Sequence, residues 1–136
     1  MNNFFKVIPG NQEINYNYSN FINRMRMPIW EQTNNHYYSY NTGLIHWVTF
    51  DFDFYASNPS LVPAMLKWLE EDLKTANENR DQWPWIVFMN HRPLYCSNTQ
   101  KEDCTDNANL YSQVETLLYE NSVDLTLSGH IHSYER

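Results

Sequence analysis

The sequence predicts an α/β fold, in which helices pack against a β-sheet. Two segments, residues 63–76 and 110–118, carry apolar side chains at the spacing of a helix. Short apolar or alternating runs, typical of strands, precede, separate and follow these segments. The resulting order of strand, loop, strands, helix, strand, loop, helix and strand is typical of helices covering a sheet. A chain of 136 residues suits one domain of this kind.

The first 55 residues are predicted to hold strands separated by a long irregular segment. Residues 4–8 (FFKVI) have the composition of a strand, which the Pro9-Gly10 turn would end. Residues 14–42 are rich in Asn, Tyr and Ser without a clear period, and predict an irregular loop or several short turns. Residues 44–55 alternate between two faces and predict a strand, with a break into a hairpin as the alternative.

The rest of the chain predicts helix, strand, helix and strand in turn. Pro63 suits the first turn of a helix, because its missing N–H has no partner there in any case. Residues 85–89 (WIVFM) are continuously apolar, as expected of a strand that is covered on both faces. Residues 123–127 predict the last strand. The second helix is marked by four apolar residues at helical spacing: Leu110, Val114, Leu117 and Leu118.

The acidic charge balance argues against nucleic-acid binding and would require a source of positive charge for any anionic substrate. The net charge is −7 and no basic stripe is present, so we expect no binding to a nucleic-acid backbone. No apolar run approaches the roughly 18 residues of a membrane-spanning helix. An acidic chain that handled anionic substrates would need a local source of positive charge, and bound metal ions are one such source.

The cysteines and one asparagine favour an oxidising compartment. Cys96 and Cys104 flank a short polar loop and suit a disulfide, with two unrelated thiols as the alternative. Their spacing matches no zinc knuckle. Asn17 begins the single Asn-x-Ser/Thr sequence and is a candidate for glycosylation. We therefore expect a secreted protein or one of the secretory or lysosomal lumen, although the first residues do not resemble a signal sequence.

Polar clusters follow three of the predicted strands, at the sheet edge where sites of α/β proteins collect. They contain Asn11 in PGNQE, His91 in NHRP, and His130 with His132 in GHIH. In extended backbone, side chains two residues apart point the same way, so both terminal imidazoles would enter one cavity about 6–7 Å apart. That separation suits ligands of two metal ions roughly 3.5–4 Å from each other. Two ordinary surface or core histidines are the alternative, and His36 and His46 are assigned to structural positions.

These blocks together resemble the purple acid phosphatases, within the calcineurin-like metallophosphoesterases. PGNQE resembles the family's Gly-Asn-His-Glu block, and NFINRMRMP resembles the segment that follows it. The stretch from KWLEEDLK to NHRPLYCSN resembles the family's helix, strand and metal-histidine block. GHIHSYER resembles its Gly-His-x-His-x-Tyr-Glu-Arg block. The resemblance covers nearly the whole chain in the family's order.

The resemblance implies a binuclear metal centre that hydrolyses phosphate monoesters. Asn11, His91 and His130 would bind a divalent ion, which is iron, zinc or manganese among relatives, and His132 would bind the ferric partner ion. A metal-bound hydroxide would attack phosphorus while the cations neutralise the phosphoryl oxygens. The implied fold is a calcineurin-like sandwich of mixed β-sheets flanked by helices, with residues 1–136 as a partial catalytic domain.

Two departures from the family pattern weaken the implied activity. Gln12 occupies the position of the family's substrate-contacting His, and it can donate a hydrogen bond to phosphate but cannot deliver a proton; a misread base in the codon is an alternative explanation. The family's Asp and Asp-x-x-Tyr blocks have no counterpart before Asn11, and Asp51 and Asp53 lie in the wrong order and context to replace them. We therefore expect a fragment, truncated at both ends, that is inactive by itself.

Three alternative functions remain open at this stage. One is another calcineurin-like phosphoesterase, such as a phosphodiesterase or nucleotidase. Another is a non-catalytic binding protein on the same scaffold, which Gln12 and the missing carboxylates favour. The last is a small zinc-stabilised module that uses Cys96 and Cys104.

Overall fold

The computed structural model describes residues 5–97 and 108–136, whose strands form one mixed four-stranded sheet. The strands lie side by side in chain order; the first pair is antiparallel and the other two pairs are parallel. This sheet, flanked by helices, confirms the predicted α/β class. The strands are β1 (Tyr37–Thr42), β2 (Ile45–Phe50), β3 (Trp85–Asn90) and β4 (Leu125–Ser128).

Within the described residues, two long helices and three short ones accompany the sheet. The predicted helices at residues 63–76 and 110–118 are confirmed, with Pro63 in the first turn of its helix. Two short 3-10 helices, Asn11–Ile14 and Pro59–Leu61, lie outside these elements. The α-helices are α1 (Ser19–Arg24), α2 (Trp30–Thr33), α3 (Phe52–Ser57), α4 (Val62–Glu78) and α5 (Ala108–Glu120). No helix of the described residues is long and apolar enough to cross a membrane.

The main hydrophobic core lies between the sheet and the two long helices. Alternate residues of β2 and β3 point into it, because side chains two apart in a strand share a face. Each fully buried side chain of this size stabilises the fold by roughly 1.5–3 kcal/mol. The strands contribute Val48, Phe50, Ile86 and Phe88, and the helices contribute Met65, Leu69, Leu73, Leu110, Val114 and Leu118.

The prediction of a strand at residues 4–8 is wrong for the described part of that segment. Residues 5–10 have no regular secondary structure, and Phe4 lies outside the described residues. A strand needs a neighbour to take its backbone hydrogen bonds. The segment is held instead by the hydroxyl of Tyr38, which donates to the carbonyl oxygen of Val7 at 2.7 Å.

The prediction that residues 14–42 are irregular is wrong for two short helices and for β1. That strand pairs with β2 across a turn at Gly43, whose φ of 59° is a conformation that glycine adopts without strain. Within the pair, Tyr38 lies opposite Thr49, and both are fully buried. The polar sequence YYSYNT concealed a strand whose stability comes from its pairing with β2.

The predicted strand at residues 44–55 ends at Phe50 rather than running on. The carboxylate of Asp51 accepts a hydrogen bond from the backbone N–H of Phe54 at 3.0 Å and caps the N-terminus of α3. The apolar alternation of the sequence continues through α3, so it does not show where the strand ends. The predicted break into a hairpin does not occur within this segment.

The last two predicted strands are confirmed, but they differ in burial. β3 is buried over most of its length, whereas every residue of β4 is exposed. Leu125 and Leu127 are 50% and 43% exposed, respectively. Among the described residues, β4 pairs with β3 alone, so β4 is an edge strand.

His36 and His46 occupy structural positions, as the sequence predicts. His36 is buried, and its Nδ1 lies 2.7 Å from a carboxylate oxygen of Asp51. The two ring nitrogens of His46 lie 2.6 Å from the side-chain oxygen of Asn41 and 3.0 Å from a carboxylate oxygen of Asp72. His36, the residue before β1, is thus joined to the residue after β2, and His46 joins these two strands to α4.

Asp124 connects the start of β4 to β3 and to the turn that follows α4. Its carboxylate accepts hydrogen bonds from the backbone N–H of Ile86 and from the guanidinium of Arg80, both at 2.8 Å. Partial burial raises the pKa of Asp124, but the Ile86 N–H and Arg80 outweigh it, and the net pKa lies below the ordinary value.

We expect Asp124→Asn to lower the free energy of unfolding at neutral pH by about 0.5–1 kcal/mol, because solvent around this exposed residue screens the pair with Arg80. Because the folded-state pKa lies below the ordinary 3.8, the contribution of the carboxylate is complete above that pH and is lost as the pH falls through the lowered pKa. Urea unfolding of variant and wild type, from about pH 7 to about pH 2.5, measures the difference. Asp81→Asn, which changes an exposed carboxylate nearby, is the control. A difference that did not narrow in acid would contradict the prediction.

Candidate metal centre

Three strand ends meet at one edge of the sheet. In the parallel register, Phe50 of β2 lies beside Asn90 of β3, and Asn90 lies beside Ser128 of β4. His91 therefore leaves the sheet close to the Gly129-His130 turn. The backbone N–H of Gly129 donates to the carbonyl oxygen of His91 at 2.9 Å and joins the two segments.

Three of the four predicted metal ligands converge at this edge. The side-chain oxygen of Asn11, at the start of a 3-10 helix, lies 2.9 Å from Nε2 of His91. Nδ1 of His130 lies 3.1 Å from the same nitrogen. The two imidazole rings meet edge to face, with their centroids 4.9 Å apart. Residues 80 and 39 positions apart in sequence thus direct polar atoms at one point.

These three atoms fit a shared cation better than they fit one another. Nε2 of His91 carries at most one hydrogen, yet it faces an oxygen acceptor on one side and an imidazole nitrogen on the other. Two ligands that each lie about 2.0–2.2 Å from one ion are separated by about 2.8–3.1 Å at an angle of about 90°, and by about 3.3–3.6 Å at the tetrahedral angle. The observed separations of 2.9 and 3.1 Å agree with neighbouring positions about 90° apart, as around an octahedral ion. Two neutral imidazoles and one amide oxygen also suit a borderline divalent ion.

Gly10 allows His91 to approach Asn11. A Cβ atom at Gly10 would lie 2.8 Å from three atoms of the His91 ring, closer than van der Waals contact permits. A Cβ at Gly129 would lie 3.8 Å from Nδ1 of His91, which is an ordinary contact. The imidazole therefore packs directly on the backbone of Gly10, and a larger residue there would displace it.

The surroundings of His91 favour its neutral form, which is the form that binds metals. Burial is the largest cause of its lowered pKa. Asp53 opposes this shift, whereas His130 and Arg92 add to it. The ring nitrogen is thus available as a ligand without prior loss of a proton.

His132 does not share the arrangement predicted for it. Residues 130–133 form a bend rather than a strand, and His130 has a φ of 65°. The N–H of Ile131 donates to the carbonyl oxygen of Gly129 at 2.7 Å, which tightens the turn. The prediction of an extended backbone, which would point both imidazoles to one side, is therefore wrong. His132 is exposed and hydrogen-bonds to no described residue, so its role as a ligand stays a prediction.

The structure does not test the roles predicted for Gln12, Asn17, Cys96 and Cys104. Gln12 is exposed and directly follows Asn11. Asn17 is exposed, and its glycosylation stays a prediction. Cys104 lies outside the described residues, so the pairing with Cys96 also stays a prediction.

Asp53 was not predicted as a site residue, but it lies next to this site. Its side chain is almost fully buried, and one carboxylate oxygen lies 2.5 Å from Nε of Arg92, the residue after His91. Reading residues 44–55 as one strand hid this position, because α3 in fact begins at Phe52. The sequence does contain one sign of this position. Asp53 is a carboxylate that follows β2, and β2 pairs with β3, the strand that His91 follows.

Comparison with known proteins identifies the family of this chain. Residues 2–134 match the calcineurin-like phosphoesterase family. The chain belongs to this family. The phosphoesterase chain is also homologous to purple acid phosphatases over most of its length.

Individual relatives cover the phosphoesterase chain well but are much longer. It is 40% identical to acid phosphatase type 7 of Homo sapiens, over 97% of this chain and 32% of that protein. It is 35% identical to probable purple acid phosphatase 20 of Arabidopsis thaliana, over 83% of this chain and 26% of that protein. The chain therefore spans a third or less of the length of these relatives.

A solved structure shows the same fold. A purple acid phosphatase from yellow lupin (Lupinus luteus) seeds superposes with a TM-score of 0.62 and 16% identity, over 85% of this chain and 20% of that one. At that identity the likeness concerns the fold alone.

We expect Gly10→Ala to weaken Zn²⁺ binding by about tenfold or more, because the new methyl group displaces His91 from Asn11. Overpacking at this position also costs about 1–3 kcal/mol of stability. Calorimetric titration with Zn²⁺ measures the affinity, and ¹⁵N chemical shifts of the imidazoles report the ring position. Gly129→Ala, whose methyl group has room, is the matched control. Equal affinity in Gly10→Ala and wild type would refute the steric argument.

Proposed function

We propose that this phosphoesterase chain carries part of the binuclear centre of an acid phosphatase that hydrolyses phosphate monoesters. The observation that carries the proposal is the convergence of Asn11 and His130 on Nε2 of His91, at 2.9 and 3.1 Å, where the parallel strands end. Homology to acid phosphatases over nearly all of the chain supports it. In this proposal the three residues hold a divalent ion, which is zinc, manganese or iron, and His132 contacts the iron of the pair.

The proposed cations supply the positive charge that the acidic chain lacks. When bound, they would polarise the phosphoryl oxygens and offset their negative charge. The chain's own residues fix where this happens. Asn11 contributes an uncharged oxygen, and the two imidazoles are neutral ligands, so the set leaves the full charge of the ion to act on the phosphate.

Gln12 limits what the proposed site can do with a leaving group. It is exposed beside Asn11, so its amide N–H can donate to a phosphate oxygen of a substrate bound near the cluster. An amide has no proton to release at neutral or acidic pH, and the departing alkoxide must take its proton from water. General acid assistance contributes typically 10²–10⁴-fold, so hydrolysis without it would be slow.

Gln12 favours a second candidate function on the same scaffold. A protein that binds phosphate esters without cleaving them would keep the metal-binding residues and have no need of a proton donor. Its ligand would be held by the cations and by the Gln12 amide. This candidate and the phosphatase differ in one measurable property, which is turnover after an acid is restored at residue 12.

We also propose that the protein resides in a secretory or lysosomal lumen. Cys96 and Cys104 would form a disulfide there, and Asn17 is exposed, as a glycosylated residue must be. Intact mass of the protein secreted from eukaryotic cells, before and after glycosidase and reductant, checks both modifications. A mass without glycan and without a reducible bond would contradict this location.

In a longer protein that also carries the family's Asp and Asp-x-x-Tyr blocks and is loaded with iron and zinc, we expect Gln12→His to raise the hydrolysis of p-nitrophenyl phosphate by about 10²-fold or more. Gln82→His is the matched control, since residue 82 is exposed near the opposite edge of the sheet and should leave the rate unchanged. Removal of the metals by a chelator should abolish the gain.

Three results would argue against the phosphatase. No gain in the loaded Gln12→His protein would favour the non-catalytic binding protein. Faster turnover of bis(p-nitrophenyl) phosphate than of the monoester would favour a phosphodiesterase. Failure of wild type to bind either metal would refute the metal centre itself.

A further inference from the structure

A buried ion pair adjoins the candidate ligands without belonging to them. The carboxylate of Asp53 is almost fully buried and accepts a hydrogen bond from Nε of Arg92 at 2.5 Å. A buried pair is not in itself a source of stability, because removing both charges from water costs as much as their attraction returns. Its position next to His91 therefore calls for another explanation.

Among the described residues, the ion pair and two hydrogen bonds hold the segment around His91 in place. The side-chain amide of Asn90 donates to the carbonyl oxygen of Arg92, which closes a tight loop around the intervening histidine. The N–H of Gly129 holds the carbonyl oxygen of His91 from the neighbouring strand end. The third contact comes from α3, where Asp53 lies in the first turn and holds the side chain of Arg92.

Charge gives the pair a second effect on the site. An Arg guanidinium beside His91 would repel a divalent ion bound there, and the repulsion would be strong in a partly buried place. The carboxylate of Asp53 lies against that guanidinium and offsets its charge.

We infer that Asp53 is a positioning residue for the proposed metal centre: by holding Arg92 it keeps His91 directed at Asn11 and His130. The inference rests on the proposed function, because it requires a cation at those residues. It assigns a role to a carboxylate that acts through Arg92 and not as a ligand. The competing role is direct binding of the ion, since the second oxygen of Asp53 is buried and accepts no hydrogen bond from the described residues.

Titration of the full 136-residue chain with Co²⁺ tests the inference, because the visible absorption bands of Co²⁺ report coordination geometry apart from activity. We expect Asp53→Asn to lower Co²⁺ affinity about tenfold and to change the band intensities, with far-ultraviolet circular dichroism unchanged. Asp72→Asn is the matched control, because it removes a partly buried carboxylate that pairs with His46 at the opposite end of β2. Co²⁺ affinity in that control should equal that of wild type.

A double-mutant cycle separates positioning from direct binding. If Asp53 acts through Arg92, then Asp53→Asn combined with Arg92→Gln should bind Co²⁺ no more weakly than the weaker single variant. Additive losses would overturn the inference in favour of direct binding. If Asp53→Asn does not fold, Arg92→Gln alone decides, since an unchanged Co²⁺ affinity in that variant would overturn the inference.

The same experiment distinguishes failure of the inference from failure of the proposed function. Equal Co²⁺ binding by wild type and Asp53→Asn would overturn the role of Asp53 and leave the metal centre in place. Absence of Co²⁺ binding by wild type would overturn the metal centre, and the role of Asp53 with it.

Discussion

The parallel pairing of β3 with both of its neighbours is the constraint on which the candidate metal centre depends. Backbone hydrogen bonds place Asn90 beside Phe50 and Ser128, so the residues that follow leave the sheet together. A shift of one residue in this register would turn the side chain of His91 to the other face of the sheet. The buried side chains of Val48 and Phe88 oppose such a shift, because it would remove apolar side chains from the core and expose them to water. Core packing between the sheet and the helices thus fixes the strand register, and this register sets the distance between the imidazoles of His91 and His130.

Asn11 reaches this edge from outside the sheet, and its approach depends on the absence of a side chain at Gly10. The contact of the His91 ring with the Gly10 backbone replaces the strand pairing that orders the other two residues. One part of the centre is therefore fixed by hydrogen bonds along a sheet and another by close packing. The two mechanisms respond differently to substitution, since strand pairing tolerates most side chains and close packing at Gly10 tolerates none.

The sequence predicted the features that depend on chain order and on strongly periodic apolar residues. The long helices, β3 and the positions of Asn11, His91 and His130 after apolar or turn segments could all be recognised in this way. β1 escaped prediction because its polar residues are ordered by β2 and not by their own pattern. The bend at residues 130–133 and the start of α3 depend on local hydrogen bonds of Gly129 and Asp51, which apolar alternation does not reveal. Asp53 was missed for the same reason.

The exposure of β4 has a consequence for the behaviour of the chain in solution. Leu125 and Leu127 face solvent, and no described strand takes up the outer N–H and C=O groups of this edge. Such an edge is a template on which a second chain can add a strand. Concentrated preparations of the phosphoesterase chain should therefore favour edge-to-edge dimers and higher aggregates, and a lysine at residue 125 or 127 would oppose this growth by placing charge where a neighbouring strand must dock.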